Sequence, residues 1–310
     1  MILKKINKIN LYKSILLSFF LFFLFQLNVQ ARTFCNSLTN SGTTTIGWTD
    51  SYCFSSSTSG AGANKTFTNN GTIRLQYRNV YGFSVGSFAN TKQINNGSII
   101  LSNIHRYGHQ SGWHMAGEDA EAINNGTVNL DYGASGGNRD NRVFRMSTAN
   151  GQSFTNSIGA SATVIGLDNL PGGMIYSDNT TVTNNGTFTI GGNGTTQKAI
   201  RYYDTADGQT LINTGTLTQS GSTDAILNEG TNAVITNTGT INGATYDINN
   251  TGTITTLTND QGGSDTLTYN GVLPSNYKAK VNTTNDFGKV TFSSESGSLT
   301  FGLDSNSNIS

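Results

Sequence analysis

Apolar and polar residues alternate with period two over short runs from about residue 66 to residue 303. In Thr181-Val-Thr-Asn-Asn-Gly-Thr-Phe-Thr-Ile190, for example, Val182, Phe188 and Ile190 fall on one side and the threonines on the other. That period is the pleat of a half-buried strand, and β-branched and aromatic residues dominate these runs. After residue 31 no stretch carries apolar residues at helical spacing. The pattern predicts an all-β chain of many short strands.

A five-residue phrase, Asn-[Asn/Thr]-Gly-[Thr/Ser]-apolar, punctuates the strands. Its glycines are Gly71, Gly97, Gly126, Gly186, Gly215, Gly239 and Gly252. The recurring asparagines are Asn69, Asn95, Asn124, Asn184, Asn213, Asn237 and Asn250, each two residues earlier. Glycine tolerates positive φ and asparagine the left-handed region, so the phrase reads as a tight turn leading into a strand. Successive glycines lie 26, 29, 60, 29, 24 and 13 residues apart, the gap of 60 holding a degraded copy near Gly159. Repeats of this length mark units that must stack to bury an apolar face. The expected architecture is therefore a parallel β-helix of about eight to ten coils, with one coil per repeat and ~4.8 Å between coils. Stacked at one corner, the asparagine side chains would each donate to one neighbouring coil and accept from the other.

Residues 1–31 have the form of a secretory signal peptide: Lys4, Lys5, Lys8 and Lys13, an apolar core from Ile15 to Phe25, then Val29-Gln-Ala31. Its removal leaves 14 basic against 18 acidic residues, a net charge of −4. With charged residues at only 12% and no basic stripe, nucleic acid is an unsuitable partner. The two cysteines, Cys35 and Cys53, are expected to pair in an oxidising compartment and to staple an N-terminal cap at 32–65. Closing that loop is worth ~3 kcal/mol in the chain-entropy model.

The β-helix itself is assigned to 66–265, with two excursions at 102–120 and 131–148 that belong to consecutive units. All three histidines lie in the first. His105 and His109 have the spacing of a zinc-protease helix, but Arg106 stands where that motif needs its general-base glutamate, and two glycines break the helix. No metal or other cofactor is implied. The excursions instead read as surface loops, and His105, Arg106, Tyr107, Trp113, Arg142 and Arg145 are the candidate binding residues for a glycan or a protein surface.

At Thr266 the register changes, and three alternating strands follow near Tyr277–Asn282, Gly288–Ser293 and Ser298–Leu303. The signal peptide, the Asn-Asn-Gly-Thr repeats and the run Leu273-Pro-Ser-Asn-Tyr277, Asp286-Phe-Gly288 and Leu299-Thr-Phe-Gly302 together resemble the passenger region of bacterial autotransporters, particularly those of marine alphaproteobacteria. The resemblance implies a right-handed parallel β-helix carried to the cell surface by an outer-membrane barrel. It also implies a C-terminal antiparallel cap at 266–303, followed here by a linker at 304–310; the barrel has no counterpart in the sequence. The functional expectation is a non-catalytic adhesive or structural surface rod. Two alternatives stand beside it. A polysaccharide lyase or hydrolase on the same fold would need paired acids converging across coils. An ice-binding protein would use the Thr-x-Thr runs at Thr66–Thr68, Thr187–Thr189, Thr216–Thr218 and Thr253–Thr255.

Overall fold

The computed structural model describes residues 33–48, 50–56, 58–77, 79–84, 88–101, 108–131, 139–147, 149–165, 171–191 and 197–309. Residues 1–31, read as a signal peptide, lie outside it. The described chain is a parallel β-solenoid without helices. Each coil contributes a strand to a first sheet of 11 strands, then to a second of 8, then to a third of 10. Eight coils carry all three strands, from Thr39–Asn40 through Ile248–Asn250. Two further coils lack the second-sheet strand, and Thr300–Leu303 ends the first sheet.

Each repeat supplies a first-sheet strand ending in the asparagine, a two-residue corner, and a second-sheet strand beginning at the following Thr or Ser. The inward positions on the three sheets fill one continuous core. Phe54, Phe83 and Trp113 stack along the axis, with ring centroids 4.8 and 5.6 Å apart. Farther along, Phe144 stacks on Phe154 at 4.2 Å, and Phe188 meets both edge-on.

The asparagines form a buried ladder at the corner between the first and second sheets. Asn40, Asn69, Asn95, Asn124, Asn156, Asn184, Asn213, Asn237 and Asn259 stand on successive coils. Each Nδ2 donates to the next Oδ1 at 2.7–3.1 Å. Most also donate to a backbone carbonyl of the next coil, as Asn124 does to Ser161 O at 3.0 Å. Beside it the second residue of the phrase builds an exposed ladder of opposite polarity: Asn96 donates to Asn70 and Asn125 donates to Asn96.

Two expectations about the phrase change. Asn250 is not a rung of the main ladder. It ends a third-sheet strand and accepts from Asn228 at 2.7 Å, a second ladder at the corner between the third and first sheets. The spacing of 13 residues from Gly239 to Gly252 is thus two corners of one coil. Nor do the repeat glycines take positive φ; that conformation falls on other glycines, such as Gly151 and Gly208. What they need is room. A Cβ on Gly97 would sit 2.0 Å from Gly71 O, and one on Gly126 2.0 Å from Gly97 O. Gly42, on the first coil, has nothing within 4 Å.

Seven of the left-handed residues lie at the corner between the third and first sheets. Asn64, Asn90, Asp119, Gly151, Asn179, Gly208 and Asn232 all have positive φ, and each stands five residues before its ladder asparagine. Asn, Asp and Gly are the residues that tolerate this conformation.

The two ends differ from the expected caps. At the N-terminus Cys35 bonds Cys53, and Phe34 N and Cys35 N donate to Tyr52 O and Cys53 O, so residues 33–35 cover the first strand of the third sheet. The first coil already lies within 32–65. At the C-terminus the expected antiparallel cap is absent: Thr256 to Asn259 pairs parallel with Asn276–Ala279, which pairs parallel with Thr300–Leu303, and Leu267–Val272 pairs parallel with Val290–Ser296. Only the isolated bridges Gly262 to Gly288 and Val281 to Phe287 are antiparallel. The alternation seen in the sequence is the ordinary strand pleat, which does not encode direction. The 304–309 stretch folds back on the last coil, with Asp304 N donating to Ala279 O and Asn308 N to Val281 O.

Candidate functional site

The two excursions are mostly strand. Gly108–Met115 and Arg139–Met146 extend the third sheet and pair with each other in parallel. The sequence reading of 102–120 and 131–148 as loops is thus corrected over these strands; segments 102–107 and 132–138 lie outside the described residues. His105, Arg106 and Tyr107 fall there. Trp113 is a correction. It is 0% exposed in the core, stacked on Phe83 and edge-on to Phe154, because inward positions of the sheet demand large apolar rings. Arg142 is only 4% exposed, its guanidinium against Met174 Sδ, so it is not a surface contact either.

Of the three candidates that the structure describes, Arg145 alone stands half-buried on the outer face, and it belongs to a ridge that sequence reading missed. Tyr52 stacks on Tyr81 at 5.5 Å, and the Tyr81 ring lies 5.7 Å from His114. His114 and Arg145 are register partners on adjacent strands. The Arg145 guanidinium covers the Tyr176 ring at 5.2 Å, and Tyr176 stacks on Tyr203 at 3.9 Å. Arg201 covers Tyr203 at 4.2 Å and closes a bidentate pair with Glu229 at 2.8 and 3.1 Å. One ridge residue or pair per coil thus runs along six coils, a span of ~24 Å at ~4.8 Å per step. The warning signal in the sequence is that Tyr52, Tyr81, Tyr176 and Tyr203 each sit beside an inward apolar residue, on the polar side of the alternation.

Neither a protein-family model, nor a curated protein, nor a solved structure matches the chain. The ridge must speak through its own chemistry.

Burial, together with the charges of Arg145 and Arg142, drives the His114 imidazole down to about 4, so it is neutral at physiological pH. Burial and a hydrogen bond in which the Tyr203 phenol donates to Tyr176 raise the Tyr203 phenol, which stays protonated. Arg201 has its charge answered by Glu229. Arg145 has no carboxylate partner among the described residues, and its Nε is buried without a hydrogen-bond partner.

Elsewhere the charged groups tie coil to coil. Lys92 pairs with Glu121 at 3.0 Å, Lys198 with Asp224 at 2.9 Å and Lys280 with Asp260 at 2.7 Å, each across one coil step. Among the described residues no three His, Cys, Asp or Glu side chains gather as metal ligands. The outer face of the second sheet differs in character: Thr43, Thr72, Ser98, Thr127, Ser161, Thr187, Thr216 and Thr240 stand in register as one column of hydroxyl residues. Of the Thr-x-Thr runs, only Thr187–Thr189 and Thr216–Thr218 share this sheet as neighbours; Thr66–Thr68 lies on the first.

Proposed function

We propose that this protein is exported and displayed at the cell surface as an autotransporter passenger, where it serves as a non-catalytic adhesive and structural β-helix. The partner this reading requires is an outer-membrane translocation barrel. The observation that carries the adhesive role is the ridge on the third sheet: rings and guanidinia held half-buried on an outer face by a stack that cannot yield locally. Aromatic and arginine side chains so pre-organised lose little freedom on binding and suit a glycan or a protein surface. The Cys35–Cys53 bond fits passage through an oxidising compartment.

The test is adhesion of protein-coated beads to cells and to immobilised glycans. Parent protein should adhere, and a Tyr176→Ala/Tyr203→Ala variant that retains its far-UV circular dichroism should adhere at least ~10-fold less, the loss of ~1.4 kcal/mol or more. Undiminished adhesion by that variant defeats the assignment.

One observation favours a second reading, ice binding: the in-register hydroxyl column on the second sheet, which connections of unequal length into the third sheet leave undisturbed. Thermal hysteresis of the purified protein, abolished by Thr187→Lys/Thr216→Lys, supports it; absence of hysteresis rejects it.

A further inference from the structure

We propose that the ridge binds an anionic polysaccharide laid lengthwise along the rod, with an oxyanion of the polymer seated on Arg145. This rests on the adhesive reading above and names the ligand class for the same surface.

Two arginines stand in like surroundings. Arg201 and Arg145 each lay a guanidinium over a tyrosine ring of the stacked pair Tyr203 and Tyr176. Arg201 receives two oxygens from Glu229. At Arg145 the same ring contact exists, but among the described residues no carboxylate answers it, and its buried Nε has no acceptor. A half-buried cation with no counter-ion is costly, and an oxyanion at its terminal nitrogens, which unlike Nε are not buried, relieves that cost as Glu229 does for Arg201. The neighbouring His114 supplies no counter-charge, since its imidazole is neutral near pH 7.

The shape of the ligand follows from the ridge. Its residues advance one coil at a time, ~4.8 Å per step, parallel to the axis. A polysaccharide advances one ring by a similar distance and presents hydroxyls to both sides. Tyr81 and His114 would flank it on one side of Arg145, and Tyr176 and Tyr203 on the other, offering ring edges, phenol oxygens and imidazole nitrogen. A single-stranded nucleic acid fits less well, because it binds by stacking bases on aromatic faces. Here those faces are occupied by the neighbouring tyrosines and by the Arg145 and Arg201 guanidinia, which leaves ring edges and phenol oxygens suited to sugar hydroxyls.

Carboxylate and sulfate ester present the same oxyanion chemistry, so both enter the test. Purified protein is titrated with polygalacturonate, dextran sulfate, neutral dextran and single-stranded DNA, for the parent, Arg145→Gln, Arg145→Lys and Glu229→Gln. The proposal expects at least one of the two anionic polysaccharides to bind and dextran not to bind. It expects Arg145→Gln to weaken binding by ~10- to 100-fold, the range for losing a charge-assisted hydrogen bond. Arg145→Lys should fall between, and the salt dependence of log K should flatten by about one ion. Equal binding of dextran, tighter binding of DNA, or unchanged affinity in a folded Arg145→Gln protein overturns it. Failure is distinguishable from failure of the adhesive reading: if Tyr176→Ala/Tyr203→Ala abolishes bead adhesion while Arg145→Gln leaves polysaccharide affinity intact, the ridge is adhesive but its ligand is not anionic.

Discussion

Replacing Asn124 by alanine removes three interactions at one point of the stack. Asn124 accepts from Asn95 Nδ2 at 2.9 Å and donates to Asn156 Oδ1 at 2.9 Å and to Ser161 O at 3.0 Å. Asn95 keeps a second acceptor, Thr127 O at 3.2 Å, so its donor is not stranded. Asn156 Oδ1 loses its cross-coil donor in a buried place. One orphaned buried acceptor costs ~1–3 kcal/mol and each of the other two lost bonds ~0.5–1.5 kcal/mol, which gives ~2–6 kcal/mol for Asn124→Ala. Asn125, the next residue, also bonds to two coils, to Asn96 at 2.8 Å and from Ser157 at 2.6 Å. Its ladder is exposed, so water replaces what alanine removes and the cost should stay below ~1 kcal/mol. Urea denaturation followed by far-UV circular dichroism measures both. A further variant separates shape from hydrogen bonding: Asn124→Asp keeps the size but loses the donor and buries a charge. Its carboxyl should have a raised folded pKa, so the variant should be least impaired at low pH and lose stability as pH rises through that value. Equal costs for Asn124→Ala and Asn125→Ala, or an Asn124→Asp protein as stable as the parent at neutral pH, would refute the buried ladder as a source of stability.

Gly126→Ala places a Cβ 2.0 Å from Gly97 O and should cost ~3 kcal/mol or more, whereas Gly42→Ala meets nothing within 4 Å and should change stability by less than ~0.5 kcal/mol, both read from denaturation midpoints. His114 has a folded pKa lowered from 6.5 to about 4, so the unfolded chain takes up the proton first and stability should fall as pH drops through that interval. His114→Asn should flatten this part of the profile, and a parent profile no steeper than the variant's would contradict the burial of a neutral imidazole. Cys35→Ser/Cys53→Ser should lose ~3 kcal/mol, with the added amide exchange concentrated in the first coil.

Much of the fold was legible because the stack repeats its demands. Each coil needs an amide at the first corner and a small residue where its backbone passes the previous carbonyl, so Asn124 and Gly126 recur in phase with their counterparts. The phase was readable elsewhere too. Gly151 stands five residues before Asn156, as Asn179 stands before Asn184, and that offset marks the coil hidden in the gap of 60 residues. Asn250 misled because the same turn chemistry serves two corners, and local sequence does not say which. The site was less legible. Trp113 and Arg142 look like surface contacts when a run of polar and aromatic residues is read as a loop, but Gly108–Met115 is a strand whose pleat turns Trp113 inward. The ridge joins residues about 30 positions apart, from Tyr52 to Tyr81 and from Tyr176 to Tyr203, and only the register between coils brings them together.

The outer face of the third sheet as the place of binding is tested most directly by oxidative footprinting of the protein on a surface to which it adheres. Tyr81, Tyr176 and Tyr203 should become protected from oxidation while Tyr77 and the exposed Trp48, which lie off the ridge, react as in the free protein. Protection confined to Trp48 and Tyr77, with Tyr176 and Tyr203 reacting unchanged, would contradict the account.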